Sequence, residues 1–459
     1  MFKLKPLTAA ILVMVSAQAM ADDSTSIQNQ LGESNIANVT QTAASFSTST
    51  QQQTGTGNDA MTLQDNASGT IEQTQVGEFN AGYAEQLFEN GSTIIQQQAG
   101  SLNNTHASQS IGAGSGQVLQ QQQGSGNSSV VFQDSQDGTT ATTFQQGNNN
   151  EAFIEQFDPG VGNTATVVQF GNTNYGTAEQ VFHVGGQINI NQSGNDNYAY
   201  GDQRNGEGGT LTINQQGGEN GTEVYQETQL SSLVTINQVG QANETGVDQS
   251  FGQENVASVL QVGNLNAIYA DQYESIGSSV ALYQQGTNNI HFTYQSGDSH
   301  VITANSVGTG NKVYASEWQG PQAGGQYGSA QTATVYQTGT DNIANFTQDG
   351  LGHIVTTNQT GAANATSISQ ADSYNELYFD QNGSDNILIA DQRGTSNLAQ
   401  GSSNGSGNSA EYIQSGSLNV AYVTQSGTGN VASIDQSGTT QLATVQQIGN
   451  ANQATVLQQ

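Results

Sequence analysis

Polarity alternates along the chain with a period of two. Asn430, Ala432, Ile434 and Gln436 stand two apart, and the residues between them, Val431, Ser433 and Asp435, are a wetter mixture. Asn419, Ala421, Val423 and Gln425 repeat the pattern against Val420, Tyr422 and Thr424. Period two with β-branched residues predicts strands that turn one face inward. From Gln436 to the next residue of that face, Gln441, the step is odd, so Ser437, Gly438, Thr439 and Thr440 are expected to reverse the chain. Gly and small polar residues suit such a turn.

The alternation recurs in a longer frame. Gln337, Gln348, Gln359, Gln370, Gln381, Gln392, Gln414, Gln425, Gln436, Gln447 and Gln458 keep one eleven-residue phase, with Ser403 in the vacant position. The unit is Q-x-G-x-x-N-x-A-x-V-x, as in the arms opening at Gln414, Gln425, Gln436 and Gln447. Upstream, Gln169, Gln180, Gln192, Gln203, Gln215, Gln226, Gln238, Gln249, Gln261, Gln272, Gln284 and Gln295 alternate intervals of 11 and 12, so two arms make one coil. Gln145, Gln122, Gln98, Gln75, Gln53 and Gln30 carry the frame back almost to the start.

Strand, turn, strand and turn repeated every 22 or 23 residues predict an all-β fold, a parallel β-solenoid. About nineteen coils spaced by about 4.8 Å would make a rod about 90 Å long. Gln would stack on Gln and Asn near Asn, each amide donating to one neighbour and accepting from the other. The expected ladder and turn residues are Gln337, Gly339, Asn342, Gln348, Gln359, Asn364, Gln414, Gly416, Asn419, Gln425, Gly427, Asn430, Gln436, Gly438, Gln447, Gly449 and Asn452.

The start departs from this frame. Lys3 and Lys5, an apolar run from Leu7 to Val15 and the small-x-small site Ala19-Met20-Ala21 predict a signal peptide over 1–21 and export. A short segment, 22–29, then leads into a first solenoid block over 30–318 with alternating arms. An irregular Gly-rich loop is expected over 319–331, where Pro321 would interrupt a ladder, and a second block with 11-residue arms over 332–459.

Composition narrows the function. Only 33% of residues are hydrophobic and 9% charged, and the formal net charge is -32, which argues against nucleic acid and anionic lipid as partners. No later stretch is apolar enough for membrane insertion. Low hydrophobicity with high net charge is also the signature of disorder, but a disordered chain has no reason to hold a Gln phase. With no cysteine there are no disulfides. The histidines, His106, His183, His291, His300 and His353, share no register and read as surface residues rather than bases or ligands. The acids fall singly, so no catalytic carboxylate pair can be nominated and no enzyme is expected. Asp196, Asp341 and Asp385 recur in equivalent turns, where oxygen ligands for Ca²⁺ and plain turn formation are both open. No cofactor or metal site is assigned.

The unit Q-x-G-x-x-N-x-A-x-V-x-Q, as in Gln337–Gln348 and Gln425–Gln436, closely resembles the curlin repeat of bacterial curli amyloid subunits. The resemblance runs from Gln30 onward. It implies a secreted structural subunit that polymerises outside the cell into curli-like functional amyloid for adhesion and biofilm matrix. Other curlin-like subunits, a nucleator and a curli-type export pore are the further partners it implies. The chain has many more repeats than the five or so typical of the family, and it lacks the Gly-rich export segment that usually follows the signal peptide. Apart from the resemblance, strand pattern at both ends of the array predicts open edges and head-to-tail self-association. The alternative is a monomeric solenoid that binds a surface, ice or a glycan along one face.

Overall fold

The computed structural model describes residues 23–112, 114–316 and 324–459. The predicted signal peptide, and residues 317–323, which include 319–323 of the expected loop, lie outside them. The described residues form a parallel β-solenoid of two sheets and contain no helix.

Successive strands alternate between the sheets. The first sheet runs from Thr25–Glu33 to Leu442–Asn450 and the second from Ile36–Thr42 to Gln453–Gln458. Each sheet pairs every strand with its equivalent one coil on, always in parallel: Gln30 lies opposite Gln53 and Gly32 opposite Gly55, and at the far end Gln425 lies opposite Gln447. The first sheet has 19 strands, one per coil, as the repeat predicted.

Coil length is less uniform than the sequence frame suggested. Paired glutamines are 22 residues apart at Gln53–Gln75, 23 at Gln30–Gln53 and 24 at Gln98–Gln122 and Gln145–Gln169. Extra residues are taken up at the strand ends: register shifts fall between Asp134 and Gln136 and between Gln272 and Ser275, beyond the inward-facing Gln. A bulge placed there leaves the inner face in phase.

The reversal is tighter than expected. Strand Val431–Thr439 runs through Gly438, which stays paired with Gly416, and the chain turns at Thr440, φ 59°, and Gln441. Gly438 holds φ at 135°, which bends the strand without breaking its ladder. Two residues then suffice where four were predicted.

The described part of 319–331 belongs to the solenoid. One rung of the second sheet comes in two pieces: Lys312–Ala315 pairs with Ile290–Thr293, and Gly325–Ser329 with Gln295–Asp298. The next coil, Ile343–Leu351, pairs with both pieces. The coils on either side therefore stack in register through this rung.

Between the sheets lies a thin apolar seam. Ala421, Ala432, Val423 and Ile434 are fully buried, and the same columns run back through Ala165, Ile190, Ile213 and Ile236. Each buried Val or Ile contributes about 1.5–3 kcal/mol. The seam is narrow because polar ladders flank it along its whole length.

Candidate functional site: the amide ladders

Where Gln follows Gln in a line, the inward amides are held the same way. Gln337 Nε2 donates to Gln359 Oε1 at 2.9 Å, and Gln359 to Gln381 at 2.9 Å. In the other sheet the line runs Gln348, Gln370, Gln392, Gln414, Gln436 and Gln458 with spacings of 2.8–2.9 Å. In most coils the second N–H crosses to the opposite strand: Gln425 Nε2 also reaches Ser409 O at 2.8 Å, and its ladder bond to Gln447 is 3.0 Å. These amides are buried, except that of Gln458 in the last strand. A buried amide is costly unless it is satisfied, and here the stacking of coils satisfies it.

Asn lines the first turn. Asn364 Nδ2 donates to Asn342 Oδ1 at 3.0 Å, and Asn452 to Asn430 at 2.8 Å. The same Oδ1 also accepts a backbone N–H of the next coil, as from Asn430 N to Asn408 at 3.0 Å. Asn419 lies in the second turn, where its backbone N–H reaches Asn397 Oδ1 at 3.1 Å and its Nδ2 reaches Ser415 O at 3.1 Å. Gly339, Gly416, Gly427, Gly438 and Gly449 all sit at φ between 104° and 135°. A Cβ on Gly339 would collide with the carbonyl oxygen of Gly361 in the next coil, so a side chain there forces the backbone to shift, and Asp372, which holds the equivalent place between Gly350 and Gly394, sits at a φ of 76° instead.

The ladders have direction. Inward Gln donates toward the C-terminal coil, as in Gln30 to Gln53 and Gln436 to Gln458. First-turn Asn donates its amide-to-amide bond toward the N-terminal coil, as in Asn58 to Asn35 and Asn452 to Asn430, and a second N–H bond to a Gly carbonyl of the C-terminal coil, as from Asn430 to Gly449 O at 2.9 Å. In the amide-to-amide bonds a cut across the rod therefore shows Gln donors and Asn acceptors on one surface, and Gln acceptors and Asn donors on the other.

Sequence reasoning misplaced the histidines. His183, His291, His300 and His353 are buried, at 2%, 0%, 0% and 0% exposure, and His106 is wedged edge-on between Tyr83 and Phe132 with ring centroids 4.9 and 5.1 Å away. His300 and His353 take the Asn position of the second turn. His353 Nε2 faces Asp349 O at 3.1 Å, and its Nδ1 accepts Asn375 N–H at 3.2 Å. Asn375 makes the same two bonds in the next coil, to Ala371 O and from Asn397 N–H. An imidazole with its proton on Nε2 thus copies an Asn side chain. Burial pushes all five histidines below their ordinary value, His183 to about 4 and His291 to about 3.

Other ladder members were missed. Gln41, Gln64, Gln86, Gln109, Gln133 and Gln156 form the second-sheet line upstream of Gln180. Gln326 joins Gln295 to Gln348 at 2.9 and 2.8 Å, across a gap of 31 residues on one side. Ser306 fills another Gln position, with its hydroxyl donating to Gln337 at 2.7 Å while His291 packs beside it at 2.8 Å. A further line, Gln28, Gln51, Gln73, Gln96 and Gln120, runs parallel to the first through the N-terminal coils. Its signal was present as Q-x-Q two residues before each glycine.

Asp196, Asp341 and Asp385 occupy the first turn at φ near 56°. Among the described residues no three His, Asp or Glu side chains converge to hold a metal ion.

Among curated proteins the comparison finds no match. A family model, the curlin associated repeat, matches residues 413–438, two consecutive arms with their Gln, Gly and Asn in ladder positions. The chain therefore carries the curlin repeat, and the coils stacked on the matched one hold most of the same residues in register, with Ser403 in a Gln position and Gln441 in an Asn position.

Proposed function

We propose that the chain is a secreted structural subunit that stacks head-to-tail into extracellular curli-like amyloid fibres for adhesion and biofilm matrix. The observation that carries this is the opposed direction of the ladders. Gln447 and Gln458 present N–H groups, and Asn452 an acceptor oxygen, on the face where Gln30, Gln41 and Asn35 of a second copy would present the complement. Gly449 would meet Gly32, and Ala454 and Val456 would meet Ala37 and Val39, so the joint repeats an internal coil contact. Two like ends would set donor against donor. A heterologous contact of this kind does not close, and its product is a filament. Unlike strand edges supply the backbone bonds. In this reading the ladder residues matched by the sequence motif are the assembly residues, and a structural role replaces a catalytic one. Other curlin-like subunits, a nucleator and an export pore are the partners the repeat suggests.

A seeded polymerisation time course on the chain from residue 22 onward tests this. Fibres that bind amyloid dye, give a meridional reflection near about 4.8 Å and lose their lag on seeding are the expected result. A chain that stays monomeric and dye-negative over days with seeds present sinks the proposal.

A further inference from the structure

On the outer face of the second sheet two glycines remove side chains from adjoining columns. Gly221 lies between Tyr198 and Glu244 in one column, and Gly246 between Glu223 and Tyr269 in the next. The result is a trough of about 560 Å³, walled by Tyr198, Tyr269 and Phe292 and edged by Glu219, Glu223 and Glu244. Nothing lies within 4 Å of the space a Gly221 Cβ would take, whereas the Tyr269 ring leans over Gly246. The three carboxylates are exposed.

Among the described residues no cation lines the trough. Arg204, on the same face, is held by Glu179 at 2.9 Å and Asp202 at 2.6 Å. Lys312 stands three coils beyond Glu244 in its column. Aromatic faces with unpaired carboxylates at the rim suit an organic cation, whose apolar body stacks on a ring while its charge meets the acids.

We propose that this trough binds the arginine side chains of a basic peptide, with Tyr198 and Tyr269 as the stacking walls and Glu223 and Glu244 as the charge partners. It is a side-facing site, so stacking of copies end to end leaves it open. The inference does not depend on fibre formation.

The test is calorimetric titration of the full chain with an amidated hexa-arginine peptide at two salt concentrations. Gly221→Val fills the trough with a residue that suits a strand and changes no charge, and it should weaken binding at least about tenfold. Tyr198→Leu should also weaken it, again without a charge change. Glu411→Gln combined with Asp435→Asn removes two acids elsewhere on the same face and should leave affinity within about twofold. Wild-type affinity in Gly221→Val, or an equal loss in the remote double variant, would show a diffuse response to net charge and overturn the proposal.

Discussion

At the scale of one residue, two glycines on the same rod should behave oppositely. Gly240 sits at φ 125°, and a Cβ there would collide with the carbonyl oxygen of Gly263. Backbone strain in that region costs about 1–3 kcal/mol, and the clash adds to it, so Gly240→Ala should lose about 3 kcal/mol in urea denaturation. Gly221 has open space and no positive φ. Gly221→Ala should be neutral or gain up to about 1 kcal/mol, because it narrows the unfolded ensemble. Equal losses at the two sites would mean that the stacking of glycine carbonyls is not what selects the residue. Histidine offers a second contrast. The folded value of His353 is lowered, first by burial, so the unfolded chain takes its proton first as pH falls. Its stabilisation is complete above the unfolded value of about 6.5 and is lost below it, at up to about 1.4 kcal/mol per pH unit, until the folded value is passed. Asp202 and Asp271 have the opposite sign: burial raises them to about 6 and about 7, so their contribution is present in acid and lost as pH rises through those values. The whole-protein profile mixes both. The difference between His353→Asn and the parent isolates one of them, and it should grow in favour of the variant between pH 7 and pH 4.5, because Asn keeps both ladder bonds and takes no proton. A pH-independent difference would mean that His353 is not neutral in the fold.

Elements stack as interchangeable coils, so removing one whole coil should be tolerated where removing part of one is not. Deleting residues 392–413, one 22-residue coil, joins Asp391 to Gln414 and sets Gln381 beneath Gln425. The interrupted position at Ser403, whose hydroxyl now donates to Gln425 at 2.8 Å, disappears, together with Tyr412, whose hydroxyl reaches Gln400 O at 2.9 Å. This deletion should melt no lower than deletion of the regular coil 425–446, measured by circular dichroism; a lower melting point would mean that Tyr412 contributes more than a closed Gln line. The same coil logic explains what could be read in advance. Gln425, Asn430 and Ala432 were legible because, Ser403 apart, the coils near them repeat the same residue at the same step. Gln326 was not, because the stretch before it breaks the count, and only pairing with Gln295 and Gln348 reveals its place. His300 and His353 were hidden for a different reason: an imidazole and an amide share a hydrogen-bonding pattern but no letter, so a search for repeated Asn passes over them. The turn was shorter than predicted because Gly438 bends within the ladder rather than ending it.

For the whole molecule, the sign of the salt effect on assembly separates end-on stacking from attraction to an opposite charge. The chain carries 37 acidic residues against 5 basic ones; the described acids stand on the outer faces and turns, whereas the inward ladders are neutral amides. Two such rods repel over a Debye length of about 30 Å at 10 mM salt, shrinking to about 8 Å at 150 mM. The proposed joint is made of backbone, Gln, Asn and apolar contacts, which added salt hardly weakens. Salt should therefore remove a barrier without loosening the product: the lag before dye-positive fibres should shorten steadily from 10 to 150 mM NaCl, and the concentration of unassembled chain left at the plateau should not rise. Hexa-arginine binding in the trough should weaken over the same range, because there salt screens an attraction. If instead the lag lengthens with salt, charge attraction drives the encounter, and the joint cannot be the neutral ladder contact between unlike ends.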